Sequence, residues 1–170
     1  MTQAPIDPGT FRNVLGQFCT GITVITTMHD DAPVGFACQS FAALSLEPPL
    51  VLFCPTKVSR SWRAIEASGR FCVNVLTEKQ KHISARFGSK ESDKFARIDW
   101  EHSQLGSPII SGSLAHIDCT VASVHDGGDH FVAAIGQDLG QARTDDGRVF
   151  GDHDPHRSSG SVRRGTAAQR

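Results

Sequence analysis

Four short segments of this 170-residue chain bring together residue types that bind or transform small molecules. The first runs from Gly35 to Ser45, with Gly35, Phe36, Ala37, Gln39, Ser40 and Ser45 in close succession. Small residues let a ligand approach the main chain, and exposed N–H groups there hold an anion or a polar ring edge. A strand packed tightly against a neighbour has the same composition. The second is Cys54-Pro55-Thr56-Lys57-Val58-Ser59-Arg60-Ser61-Trp62. Hydroxyls and cations at the start of a helix make a phosphate site, although an ordinary N-cap with solvated cations uses the same residues. In the third, Ser84 to Ser89, Arg86 stands beside Phe87. That pair suits a flat ligand, or equally a helix C-terminus with a core aromatic. In the fourth, Gly127-Gly128-Asp129-His130, a histidine follows directly on a tight turn. Such a histidine acts beside a redox ring, donates a proton, or is simply structural.

Other chemistries find no support. The remaining histidines lack metal-ligand spacing, and Cys19, Cys38, Cys54, Cys72 and Cys119 form no CxxC pair. The cysteines read as buried free thiols of a reducing compartment. No GxGxxG, Walker or GxSxG motif occurs.

The elements that must position these segments are short. Asp7 or Thr10 caps a first helix whose Phe11, Val14, Leu15 and Phe18 make an amphipathic stripe, with Gly21 as its stop. Residues 22–27 are β-branched throughout and predict a strand. The turn residues of 29–33 send residues 34–40 back as its hairpin partner. Leu50 to Cys54 is continuously apolar and predicts a strand buried on both faces. Ser59 caps a helix through Ala67, Phe71 to Leu76 is a strand, and Thr77 caps a helix carrying Ile83 and Phe87. Residues 89–105 are polar and irregular, anchored by Phe95 and Trp100. Residues 113–124 form another strand, and a turn over 125–129 leads into His130-Phe131-Val132. Six strands with short helices between them predict a mainly β barrel or sandwich.

Composition bounds the function. The charges nearly cancel, with 17 Lys+Arg against 18 Asp+Glu, so no basic field addresses nucleic acid. No run approaches the roughly 18 apolar residues of a membrane span. The first ten residues lack the apolar stretch of a secretory signal. A cytoplasmic protein without nucleic-acid or membrane partners is expected. One domain over residues 1–150 fits this length. From Gly151 onward Val162 is the lone large aliphatic residue, and all Lys and Glu lie at or before residue 101. Residues 151–170 are therefore expected to be disordered, or the product of a shifted reading frame.

Taken together, the segments resemble a known family. The run Phe11-Arg12-x-x-Leu15-Gly16-x-Phe18-x-Thr20-Gly21 is followed by Gly35-Phe36-x-x-x-Ser40-Phe41-x-x-Leu44-Ser45-Leu46-x-Pro48-Pro49. Then come Ser59-x-Ser61, Phe71-x-Val73-Asn74-Val75-Leu76, Phe87, Lys94-Phe95 and Gly128-Asp129-His130. This order is similar to that of the flavin reductases of two-component monooxygenases, especially those of steroid-ring degradation. The resemblance implies an FMN-binding split barrel, a Greek-key β-barrel with short helices, working as a homodimer. FMN or FAD and NADH would be its cofactors, and reduced flavin would diffuse to a separate oxygenase. It implies flavin contacts from Gly35, Phe36, Ala37, Gln39, Ser40 and Ser45 along the ring and ribityl chain. Cys54, Pro55, Thr56, Ser59, Arg60 and Ser61 would serve the ring edge and phosphate, with further contacts from Arg86 and Phe87. His130 would stand on the nicotinamide side as the catalytic residue. Members of this family continue with a closing strand of the pattern Pro-Leu-apolar-Phe-aromatic-x-Gly-x-Tyr. This chain has no Tyr, Ile135-Gly136 matches the preceding strand, and Val149-Phe150-Gly151 is at most a fragment of the closing one. The alternative is a flavin-binding barrel without its nicotinamide wall and catalytically impaired. A pyridoxamine-phosphate-oxidase-like enzyme on the same barrel fits the pattern less well.

Overall fold

The computed structural model describes residues 7–136, 142–144 and 149–150. The expectations for residues 151–170, and for Leu139-Gly140, lie outside the described residues. Helix α1 spans Pro8–Leu15, with the Asp7 carboxylate accepting from the Thr10 N–H at 2.8 Å. It ends six residues before Gly21, and the whole stripe of Phe11, Val14, Leu15 and Phe18 is exposed. Periodicity identified an amphipathic face, but no described residue covers it.

Strands β1 (Thr23–His29) and β2 (Ala32–Cys38) form a hairpin with His29 opposite Ala32. Its two turn residues, Asp30 and Asp31, have φ of 49° and 58°. Aspartate tolerates the left-handed region, and such a turn matches the twist of the strands. A second hairpin joins β3 (Ala42–Leu46) to β4 (Pro49–Phe53). Of β4 only Phe53 is fully buried, in contrast to the expected two-sided burial, because β4 and β3 form one margin of the sheet. Helix α2 (Arg60–Ser68) leads to β5 (Arg70–Val75), and a 3₁₀ turn at Glu78–Gln80 leads into α3 (Lys81–Gly88). The irregular segment that follows contains a small pair, β6 (Trp100–His102) with β7 (Pro108–Ile110). Strand β8 (Ala115–Gly127) returns through Gly128-Asp129 to β9 (His130–Gly136). Two short strands, β10 (Ala142–Thr144) and β11 (Val149–Phe150), pair with each other, and β10 pairs with the start of β8.

The main sheet runs β2-β1-β5-β8-β9-β4-β3, every pairing antiparallel. Strand β8 pairs with β5 through its first half and with β9 through its second, and its register shifts between Val121 and Ser123. A bulge there bends the long strand and adds twist. Ile25, Phe36, Phe53, Phe71, Cys119 and Ile135, from six different strands, meet in one cluster with Trp62 and Ile65 of α2. Side chains from β2 and β4, far apart in sheet order, meet there: Phe36 and Phe53 have ring centroids 5.9 Å apart. The sheet must therefore curl into a barrel around this core. Outside the barrel wall, Val24, Ile83, Phe87, Phe95 and Ile110 make a second cluster, so β1 is buried on both faces.

A fully buried asparagine fixes the 95–110 segment to the barrel. Asn74 accepts from the Ile110 N–H at 2.8 Å and donates to Thr26 Oγ1 at 3.0 Å and to the carbonyl of Pro108 at 3.3 Å. Every polar atom of that side chain is satisfied, as burial demands.

Candidate active site

A cleft of about 680 Å³ opens beside the barrel, lined by β2, the start of α2, the end of α3 and the loop after α3. Its β2 wall is Pro33 to Ala37. Gly35 sits there because a side chain has no room: a Cβ would fall 2.8 Å from the Ile25 carbonyl oxygen and 2.8 Å from Phe87 Cε1. The Ser61 hydroxyl donates to the Gly35 carbonyl at 3.1 Å and ties this wall to α2. Ser59 is the N-cap of α2, its oxygen accepting from the Trp62 N–H at 3.1 Å, which leaves the hydroxyl hydrogen for a ligand. Thr56 and Arg60 complete that side.

The opposite wall is Phe87 to Ser92 and Lys94. Phe87 is held edge-on against Phe95, with centroids 4.9 Å apart and planes at 87°. Lys94 is half-buried and donates to the Phe87 carbonyl at 2.8 Å. Burial, and secondarily the neighbouring charge of Arg60, pushes its pKa below the usual lysine range. Glu91 lies at the rim but faces Arg86, with 3.6 Å between their charged atoms. Arg60, Lys90 and Lys94 thus share one cleft beside hydroxyls and a helix N-terminus, and none of the three forms an ion pair among the described residues. That is the donor set of a phosphate site.

The tight turn with His130 reaches the same place. Residues 55–57 run alongside it: the Lys57 N–H donates to the Asp129 carbonyl at 3.0 Å and the Phe131 N–H to the Pro55 carbonyl at 2.9 Å. Thr56 and His130 face each other in an isolated bridge between these two bonds. The Lys57 ammonium pairs with Asp126, and Nδ1 of His130 lies 2.7 Å from Asp129 Oδ1.

Comparison with known proteins decides the family. The model of the flavin reductase like domain matches residues 15–148. The chain belongs to the flavin reductase family. It is 88% identical over 129 residues to the flavin-dependent monooxygenase reductase subunit HsaB of Mycobacterium tuberculosis, covering 76% of this chain and 69% of that protein. It is 42% identical over 135 residues to the FMN reductase (NADH) SmoA of Agrobacterium fabrum, covering 79% and 76%. The crystal structure of nitrilotriacetate monooxygenase component B from Mycobacterium thermoresistibile superposes with a TM-score of 0.74 at 64% identity, covering 92% of both chains. The curled antiparallel sheet is the split barrel of these reductases.

Of the residues singled out from the sequence of this family member, Gly35, Phe36, Ala37, Thr56, Ser59, Arg60, Ser61 and Phe87 line the cleft together. Ser40 does not; its hydroxyl accepts from the Cys54 N–H at 3.0 Å and donates to the Cys54 carbonyl at 3.3 Å, fastening the two segments to each other. Gln39, Ser45, Cys54 and Pro55 stand outside the lining in this protomer, and His130 borders it through Thr56. Arg86 is outside the lining, donating to the Asp93 carbonyl at 3.3 Å and facing Glu91 at 3.6 Å. Lys94, which the sequence showed only within the Lys94-Phe95 pair of the family pattern and not as a site residue, joins that lining.

Proposed function

We propose that this chain is an NADH-dependent reductase of free FMN or FAD that supplies reduced flavin to a separate oxygenase. The single observation that carries this reading is the cleft in which Arg60 and Lys94, neither in an ion pair among the described residues, stand beside Ser59 and Thr56. Its cations and hydroxyls suit a phosphate, and the bare main chain at Gly35 with the Phe87 ring beside it suits a flat heterocycle. Ser59, Arg60 and Lys94 would hold the phosphate, and residues 35–37 would run along the ring system. When bound, the flavin accepts a hydride from reduced nicotinamide and carries the electron pair onward. The protein contributes binding and orientation. His130 stands at the Thr56 end, where it would meet the nicotinamide.

The homodimer is part of this proposal. Phe18 and Leu46 are 72% and 92% exposed, and among the described residues α1 covers nothing with its apolar face and β3 ends the sheet without a further partner. A monomer rarely leaves such surfaces open. Likeness to HsaB supports a place beside a flavin-dependent monooxygenase, and the sequence resemblance supports steroid-ring degradation as its setting. No helix among the described residues is long and apolar enough to cross a membrane. A cytoplasmic location is proposed on the five free thiols.

The test is NADH oxidation by the purified chain with and without FMN or FAD. Flavin-dependent turnover supports the reading. Flavin binding without turnover selects the impaired barrel instead, and neither binding nor turnover in soluble protein overturns the flavin site.

A further inference from the structure

The turn between β8 and β9 fixes more than the position of His130. Gly128 takes φ of 84°, its N–H donates to Asp126 Oδ1 at 3.1 Å, and the carbonyl of Asp129 is held by the Lys57 N–H. The main chain of Asp129 and His130 is thereby clamped, and their side chains meet at 2.7 Å through Oδ1 and Nδ1. The hydrogen bond from His130 holds the Asp129 carboxyl below the usual carboxylate range, so it is ionised at neutral pH. An ionised carboxylate carries no hydrogen. The hydrogen in this contact therefore belongs to Nδ1, whether the ring is neutral or charged. Among the described residues no group bonds Nε2. The charged groups around the ring are Asp129, Lys57 from the β4–α2 connection and Asp126 from β8, the last two paired with each other.

We propose that Asp129 is a positioning residue: it locks His130 as the Nδ1–H tautomer and so makes Nε2 the one atom of the ring that exchanges protons or hydrogen bonds with substrate. The proposal rests on the reductase reading for the identity of that substrate. A neutral ring with this tautomer presents a lone pair at Nε2. It accepts from an N–H or O–H donor, and the carboxamide N–H₂ of a nicotinamide is such a donor. Protonation of Nε2 converts the acceptor into a donor and removes the match. The ring is thus a hydrogen-bond acceptor for the reductant rather than the proton source its type alone suggests.

The experiment is long-range ¹H–¹⁵N correlation NMR of the imidazoles in the chain without flavin or nucleotide. His130 is assigned by the signals lost in His130→Gln. In the neutral ring, Nδ1 should show the shift of a protonated nitrogen and Nε2 that of an unprotonated one. Asp129→Ala should release the ring to Nε2–H, while Asp129→Asn, whose amide oxygen still accepts, should retain Nδ1–H. In steady-state assays Asp129→Ala should raise KM for NADH by about tenfold, one hydrogen bond's worth, with kcat changed less. It should add little to His130→Gln, since both remove one interaction. An Nε2–H ring in the unaltered protein overturns the proposal, as does an unchanged tautomer or an unchanged KM in Asp129→Ala. The expected tautomers in a chain that never oxidises NADH would leave Asp129's hold on the ring standing and sink the reductase reading instead.

Discussion

The ring of Phe87 lies directly against the bare α-carbon of Gly35, so that a Cβ there would come within 2.8 Å of both Phe87 Cε1 and the Ile25 carbonyl oxygen. One of those neighbours is backbone in the middle of β1 and cannot step aside. Gly35→Ala should therefore cost about 1–3 kcal/mol by overpacking. Because Phe87 also floors the cleft, flavin affinity should fall with stability. Urea unfolding and flavin-fluorescence titration measure the two effects; full stability with weak binding would place the conflict on the ligand side alone.

Lys94 and Arg60 are proposed to share one phosphate. Removing the ammonium in Lys94→Met should weaken FMN binding by about 1.5–3 kcal/mol, the range for hydrogen bonds to charged groups. Riboflavin, which has no phosphate, should lose almost nothing. The sign of the pH effect follows from the direction of the shift. Burial and Arg60 lower the Lys94 pKa, so its charge is present at neutral pH and is lost as pH rises, at values below the ordinary lysine range. FMN affinity should decline on that alkaline side in titrations at constant ionic strength, and Lys94→Met should remove the decline.

How far these features were legible in the sequence depends on the range of the interaction. Ser59 as a cap of α2 and Gly128-Asp129 as a turn before His130 are written in residue types a few positions apart, and both stand where expected. Strand β3 was not seen, because Ala42-Ala43-Leu44-Ser45-Leu46 has no β-branched residue and is a strand only through its pairing with β4. The α1 stripe has the period of a buried face, yet period says nothing about which surface buries it. Half of the cleft was readable as small and hydroxyl residues on β2 and α2. Lys94 was legible only as part of the Lys94-Phe95 pair and not as a cleft residue, since it reaches the cleft only after α3 ends and Phe95 is drawn into the second core cluster. Arg86 is outside the lining of this cleft and meets the Asp93 carbonyl and Glu91 instead.

Asn74 carries the join between the barrel and the small β6–β7 pair. Replacing it with Leu fills the space but strands the Ile110 N–H, which bonds to Oδ1, and takes donors from the carbonyls of Val24 and Pro108. Buried groups left unpaired cost about 1–3 kcal/mol apiece, so a loss of about 2–4 kcal/mol is expected. Hydrogen exchange should localise the change to residues 95–111. A loss below 0.5 kcal/mol, the scale of an ordinary surface substitution at about that size, would mean the network is not what fastens this segment.

The exposed apolar residues predict the oligomer. Phe18→Glu and Leu46→Glu lie on surfaces that no described residue covers, so neither should unfold the chain. Each should shift sedimentation from dimer towards monomer, and the pair should do so more strongly. If the parent chain sediments as a monomer, these surfaces have another purpose and the proposed dimer falls.

The thiols give an independent check on the barrel. Cys72 and Cys119 are fully buried, and burial, followed by the charge of Asp118, raises both; Cys119 is pushed up to about 12. Cys38 is raised by burial as well, whereas Cys19 is exposed. A thiol that stays protonated and covered does not attack a disulfide reagent. In native protein near pH 8 Cys19 should react first, while Cys38, Cys72 and Cys119 should react only after unfolding. The same shifts set an alkaline limit on stability. A group whose pKa is higher folded than unfolded favours the fold below its unfolded value, about 8.5 for a thiol, and loses that contribution as pH rises towards its folded one. Stability should therefore fall progressively from about pH 8.5 towards 12, and Cys119→Ala should flatten that decline while lowering stability at pH 7 through the space it leaves. A native chain in which all five cysteines react at one rate would mean that the core around Phe53 and Phe71 opens freely, and the barrel would then be too loose to hold the cleft.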